Sequence, residues 1–396
     1  TYIQNRYIDT YKVRLLFSNM ILHRKVFQTP IKVFCKFIHI PSQMKCIQLE
    51  SYAPTISGLN ISKIASTKTN LKPNEILVKV HAASVNPIDI EMSKGYGSTA
   101  INFLRKTENI PEFPLILGRD CSGEIVAVGK QFHRLAVGSH VYCTRWVVGQ
   151  GTHAEYVIVN KNEISLKPKN LSYIEAASLA YVSCTAWNAL VNSGAVSNNT
   201  FKRKKRIFIP GGSGGLGSFA TQLCMAYGHD VVTSCSEQNI NALHKLGIKN
   251  VLNYESESYF KDLSASGPYD VILDTLKEAF KEEFMNLLKK DQSSFYISLS
   301  PTILGDVDQL GLPFGLLKAA KNYFSTLACQ INDGKGLYYW GFVNPSGLIL
   351  DNVRLLVEEG KILPLVDRVF KIDDGIESYK YLMEKKSCGK VVIGFP

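Results

Sequence analysis

Pro210-Gly211-Gly212-Ser213-Gly214-Gly215-Leu216-Gly217 is the stretch that decides the fold of this chain. It stands between a short apolar run, Arg206-Ile207-Phe208-Ile209, and a segment of helical character over residues 218–227. Strand, glycine turn and helix in that order predict a dinucleotide-binding βαβ unit. The chemistry calls for glycine on three grounds. The turn leaving the strand needs backbone angles closed to other residues. A pyrophosphate must approach the main chain with no Cβ in between, and the helix must pack closely on the sheet. The helix N-terminus then offers unpaired N–H groups and a positive dipole end to the phosphates. Gly211, Ser213, Gly214, Gly215, Leu216 and Gly217 are therefore expected to bind the cofactor.

Working outward, strands and helices alternate after the turn. Strands are expected at 230–234, 251–253, 270–274 and 295–299, and a further helix at 238–246. Such alternation predicts a parallel sheet with right-handed crossovers. The chain before the turn reads differently. Residues 46–49, 75–83, 122–128, 137–143 and 154–159 run or alternate like strands, with glycine and proline between them, which suggests a compact β-barrel-like domain. Residues 173–190 read as helical, with Ser172 and Glu175 placed as a capping box. A helix at 351–359 and a strand at 390–393 close the chain. The basic run Lys202-Arg203-Lys204-Lys205-Arg206 reads as a solvated loop.

The 396 residues are enough for two domains, and 45% hydrophobic with 20% charged residues is a globular composition. No apolar run reaches the ~18–20 residues of a membrane span. The net charge of +11 is uneven. Residues 1–45 hold eight Lys/Arg and one acid, so the rest carries 37 basic against 33 acidic residues, a surplus of four. That distribution argues against a nucleic-acid partner. A basic, acid-poor leader over 1–43 reads as a mitochondrial transit peptide or as upstream sequence, with Met20 and Met44 as possible starts. The nine cysteines are scattered without a C-x-x-C pair, which argues against a zinc ribbon and a disulfide framework and fits a reducing compartment.

Four motifs then occur in order: Ser84-Val85-Asn86-Pro87-Ile88-Asp89; Gly118-Arg119-Asp120 followed by Ser122-Gly123 and Val128-Gly129; Leu179-Ala180-Tyr181 with Thr185-Ala186-Trp187; and the glycine turn. Together they resemble the medium-chain dehydrogenase/reductase superfamily in its zinc-free quinone oxidoreductase branch. Within that branch, His81 to Asp89 and Gly95-Tyr96-Gly97 are similar to the mitochondrial oxidoreductases that interact with reticulons. The resemblance implies an α/β fold with a GroES-like β-barrel catalytic domain over 44–169, a Rossmann domain over 170–336 and a return to the catalytic domain over 337–396. It also implies a mitochondrial matrix protein of ubiquinone biosynthesis, a possible homodimer, and possible reticulon partners.

Residue by residue, the resemblance implies hydride transfer without metal. Zinc alcohol dehydrogenases carry a cysteine where Asn86 stands and a histidine beside a glutamate where Arg119 and Asp120 stand, and Tyr181 falls near their third ligand. A metal-free site suits quinones and conjugated enones. Asn86 and Tyr181 are the candidate catalytic residues, and Thr185, Trp340, Gly341 and Phe342 are carried over as cofactor contacts. Asp274 and Leu299, at the ends of sheet strands, are expected beside the cofactor as well.

For the nucleotide itself, Ser236 takes the place where NAD enzymes hold the ribose with an acid. A small hydroxyl leaves room for a 2′-phosphate, and Tyr254 matches a family tyrosine that contacts it. NADPH is the expected cofactor, with Glu237 keeping NADH as an alternative. Two other functions stay open: a nucleotide-bound interaction protein without turnover, and an enoyl-thioester reductase.

Overall fold

The computed structural model describes residues 40–131, 134–197, 203–384 and 386–396. The expected leader falls outside these residues up to position 39, as does Lys202 of the basic run.

Glu75–Val85 is the spine of the barrel-like part. One edge pairs antiparallel with Asp120–Val128. The other takes Tyr156–Asn160 near its start and Lys390–Gly394 near its end. The sheet continues through His140–Thr144 to Ile164–Leu166 on one side and to Val366–Lys371 on the other. Register shifts at Leu77/Val78 and Val80/Ala82 bend the spine strand, as bulges do. A small sheet of Leu59–Ser66, Gln43–Leu49 and Leu115–Ile116 adjoins it.

The second sheet is wholly parallel. Its order is Val251–Asn253, Asp230–Cys235, Arg206–Ile209, Val271–Asp274, Phe295–Ser298, Leu337–Trp340. In chain order this is third, second, first, fourth, fifth, sixth, the doubly wound Rossmann arrangement. The strand order reverses between Arg206–Ile209 and Val271–Asp274, so the crevice for a ligand opens at their carboxyl ends. The sheet extends past residue 336, where the sequence places a return to the barrel. Leu337–Trp340 is its edge strand, covered by the helix Leu312–Asn332, whose Tyr323 ring lies 4.9 Å from that of Trp340.

Helix Tyr173–Trp187 joins the two parts. Its start is the expected capping box: Glu175 N donates to Ser172 Oγ at 3.2 Å and Ser172 N to Glu175 Oε2 at 2.8 Å. The helix is apolar on nearly all sides, as a fully packed helix must be, and lies against the barrel strands and the glycine helix Gly215–Ala226. It ends in a π turn, Asn188–Asn192, rather than running straight to residue 190. The basic run is partly engaged: Arg203 pairs with Asp270 and Arg206 with Asp230.

Candidate nucleotide and acceptor site

The turn residues are glycines for distinct reasons. Gly211 has φ 68°, a left-handed angle. A Cβ on Gly212 would lie 2.1 Å from Thr233 Oγ1, and one on Gly217 would lie 2.1 Å from the Gly211 carbonyl oxygen. Gly214 is the N-cap of Gly215–Ala226 and donates to Gly211 O at 3.0 Å. Ser213 Oγ accepts from Asn239 Nδ2 at 3.2 Å, and Leu216 packs into the core beneath. A cradle that side chains would fill, closed by a helix N-terminus, fits a nucleotide pyrophosphate.

Ser236 directly follows the second parallel strand, buried, with its carbonyl accepting from Asn239 N at 3.0 Å. Tyr254 N donates to Cys235 O at 3.1 Å, which brings the half-exposed phenol ring of Tyr254 to the same edge. Two carboxylates stand there too. Glu237 Oε2 accepts from Asn253 Nδ2 at 2.6 Å, and Glu255 Oε2 accepts from Glu237 N at 3.0 Å.

On the other side of the crevice Asp274 is engaged within the protein. Its carboxylate accepts from Tyr296 OH at 2.7 Å and from Leu276 N at 2.7 Å. It therefore shapes the following loop. In that loop Lys277 and Glu278 have φ 58° and 59°, left-handed angles that side chains adopt only at a cost. Two successive side chains in this region cost about 1–2 kcal/mol each. The loop is held by Thr275 Oγ1 donating to Pro210 O at 2.6 Å and by Glu278 Oε1 accepting from Tyr338 OH at 2.6 Å. Burial raises the Glu278 pKa, but hydrogen bonds from Ser298 and Tyr338 outweigh it and leave it below its usual range. Leu299 lies just past its strand and faces Gly341, where a Cβ would be 2.6 Å from Leu299 Cδ2. Trp340 is buried, its indole donating to Tyr338 OH at 2.9 Å. Phe342 is half-exposed on an apolar cavity of about 390 Å³ shared with Tyr323 and Phe324.

Asn86 caps the helix Pro87–Ser93, and its carboxamide is spent within the protein. Nδ2 donates to Asp120 Oδ1 at 2.9 Å, and Oδ1 accepts from Lys390 Nζ at 2.6 Å. It is therefore a buried organiser of the site rather than a group aimed outward. Asp120 also accepts from Ser84 Oγ and from Tyr181 N. Tyr181 and Thr185, one turn apart, are the two residues of the run 176–186 that keep partial exposure. Thr185 Oγ1 donates back to Tyr181 O at 2.9 Å. Burial pushes the Tyr181 phenol well up, with Asp89 and Asp120 adding to the effect.

Lys390 was not legible as a site residue, and Arg119 was legible only as the occupant of a zinc-ligand position. The Lys390 stem lies where a Cβ on Gly215 would meet it at 2.3 Å, and its ammonium is 4.0 Å from Asp120. Arg119 is fully buried, with Nη1 donating to the carbonyls of Trp146 and Gly149 and with Nε and Nη2 lacking a partner. Burial lowers Arg119 to about 10 and raises the neighbouring Asp89 to about 6. The cluster thus sets two buried cations among two buried acids. These residues do not fit a zinc ion, because an ammonium and a guanidinium stand among the metal-ligand positions and repel a divalent cation. Among the described residues no group of three His, Cys, Asp or Glu side chains is arranged to hold a metal.

Comparison with known proteins places this architecture. The Alcohol dehydrogenase GroES-like domain model matches residues 72–169, and the Zinc-binding dehydrogenase model matches 246–393. A mitochondrial NAD(P)H oxidoreductase RTN4IP1 of Danio rerio is 38% identical over 342 residues, covering 85% of this chain and 87% of its own length.

The chain belongs to the medium-chain dehydrogenase/reductase superfamily.

The human RTN4IP1 protein is 37% identical over 326 residues, covering 81% of this chain and 82% of its own length. A quinone oxidoreductase of Coxiella burnetii matches with TM-score 0.69 and 27% identity, over 89% of this chain and 99% of that one. As a medium-chain dehydrogenase/reductase the chain is an NAD(P)H oxidoreductase.

Proposed function

We propose that this oxidoreductase uses NADPH to pass a hydride to a quinone or quinone-like conjugated carbonyl without a metal. The observation that supports this most is the Lys390–Asn86–Asp120 cluster, which fills the metal-ligand position with a hydrogen-bonded ion network beside the glycine cradle. When bound, the nicotinamide supplies the hydride from its C4. The chain binds and orients. Gly211–Gly217 hold the phosphates, Asp274 and Thr275 set the loop over the crevice, and Tyr181 and Thr185 present the exposed face of the central helix to the acceptor. A quinone delocalises the charge that zinc neutralises in an alcohol dehydrogenase.

Ser236 and Tyr254 at the adenosine edge support NADPH. Glu237 and Glu255 at the same edge favour NADH as a second reading. Fluorescence titration of the protein with each nucleotide decides between them: NADPH should bind at least tenfold more tightly. The mitochondrial relatives support a mitochondrial location, and the resemblance carried by the sequence motifs implies a role there in ubiquinone biosynthesis. An enoyl-thioester acceptor is favoured by a trans-enoyl reductase of Aspergillus terreus, 29% identical over 369 residues. Steady-state oxidation of NADPH with a soluble quinone and with an enoyl thioester separates the two acceptors. No turnover with either, despite NADPH binding, would leave the interaction-protein reading, which the name of a reticulon-4-interacting relative of Caenorhabditis elegans supports.

A further inference from the structure

Barrel residues 91–99 meet the loops leaving the parallel sheet at three places. Asp308, on helix Ile303–Leu310, accepts from Gly97 N at 2.6 Å through one carboxylate oxygen and from Thr99 N at 3.0 Å through the other. These N–H groups open the helix Ser98–Thr107, whose own N-cap is Gly97 and offers no side chain. The cap therefore comes from a residue more than two hundred positions away. Lys277 Nζ reaches Glu91 at 3.0 Å from the loop whose backbone is held left-handed. Tyr96 OH donates to Pro301 O at 3.5 Å, and a Cβ on Gly97 would lie 3.2 Å from Leu304 Cδ1.

Both loops follow the carboxyl ends of central strands, Val271–Asp274 and Phe295–Ser298, where nucleotides bind in such sheets. We propose that Asp308 and Lys277 form a two-point latch that holds residues 91–99 over the crevice and sets how fast the nucleotide leaves. The contacts are suited to opening. Lys277 is largely exposed and Thr99 lies at the surface, so water replaces the Lys277–Glu91 and Asp308–Thr99 bonds when they break. A carboxylate aimed at a helix N-terminus restores the closed state. The helix it caps follows directly on the segment that Asn86 begins, so the latch ties that segment to the loops of the parallel sheet.

The inference rests on the reading that the nucleotide occupies the glycine cradle. The test uses the whole chain with Asp308→Ala, Asp308→Asn and Asp308→Ala combined with Lys277→Ala. Two quantities are measured: the NADPH dissociation rate by stopped-flow fluorescence, and hydrogen exchange at residues 97–101 without nucleotide. The latch predicts faster exchange at 97–101 in Asp308→Ala and at least tenfold faster NADPH release in the double variant. Asp308→Asn, which keeps one acceptor oxygen, should fall between. Faster exchange with a release rate within twofold of the unaltered protein would reduce Asp308 to a helix cap and overturn the latch. Unchanged exchange would overturn it as well. An unaltered chain that fails to bind NADPH would sink the cradle reading, and the latch with it.

Discussion

Lys390 joins the two halves of the site, its stem against Gly215 and its Nζ 2.6 Å from Asn86 Oδ1. It is buried beside Asp120, so its charge has no water to fall back on. Lys390→Met leaves Asp120 uncompensated in the interior and should cost about 3–5 kcal/mol of stability, measured as a shift in the urea midpoint. A loss below about 1 kcal/mol would mean that the cluster contributes little beyond packing.

The glycine turn separates binding from folding. A Cβ at Gly214 would approach Gly211 O at 3.3 Å, whereas at Gly217 it would reach the same atom at 2.1 Å. Gly214→Val should therefore fold, with a cap penalty of about 1 kcal/mol, and lose at least tenfold in NADPH affinity by fluorescence titration. Gly217→Val should fail to fold, seen as loss of a cooperative thermal transition. A folded Gly214→Val with unaltered affinity would refute the cradle.

How much of this was legible follows from which physics is local. The glycine turn, the Ser172–Glu175 capping box and the alternating strands are written within a few residues each, and they emerged from the sequence. Leu337–Trp340 escaped because an edge strand has one neighbour and its aromatic residues carry no alternation signal. Asn86 stood out through its motif, but its partners Lys390 and Asp120 are brought to it by strand pairing far along the chain. Lys390 reads in sequence as an ordinary lysine in a terminal strand. Sequence also could not show that Asp274 and Trp340 are engaged by Tyr296 and Tyr338.

His153 makes an acid-sensitive element. Burial lowers its imidazole to about 4, while Nδ1 pairs with Tyr379 OH at 2.6 Å. The unfolded chain binds a proton here below about 6.5 and the native state does not until about 4. Stability is therefore lost as pH falls through that window, by up to about 3 kcal/mol. Asp89, raised to about 6, acts oppositely: the native carboxyl holds its proton where the unfolded one has released it, so its contribution grows as pH falls from about 6 to 3.8. His153→Gln removes the first contribution alone. Its urea midpoint should gain on that of the unaltered protein between pH 7.5 and pH 5. A difference that stays constant with pH would contradict the buried neutral imidazole.

The proposed preference for NADPH places Ser236 at the ribose 2′ position. A carboxylate at that place repels a 2′-phosphate and accepts from a ribose hydroxyl. Ser236→Asp should lower NADPH affinity at least tenfold while NADH binding holds or improves, read from the ratio of dissociation constants. An unchanged ratio would move the phosphate-binding role away from Ser236.

The most direct measurement is NADPH oxidation, followed by absorbance, with a soluble para-quinone by the purified chain before and after exhaustive chelation. The Lys390–Asn86–Asp120 cluster in the metal-ligand position predicts quinone-dependent turnover that chelation leaves unaltered. Turnover that vanishes on chelation and returns with zinc would contradict it.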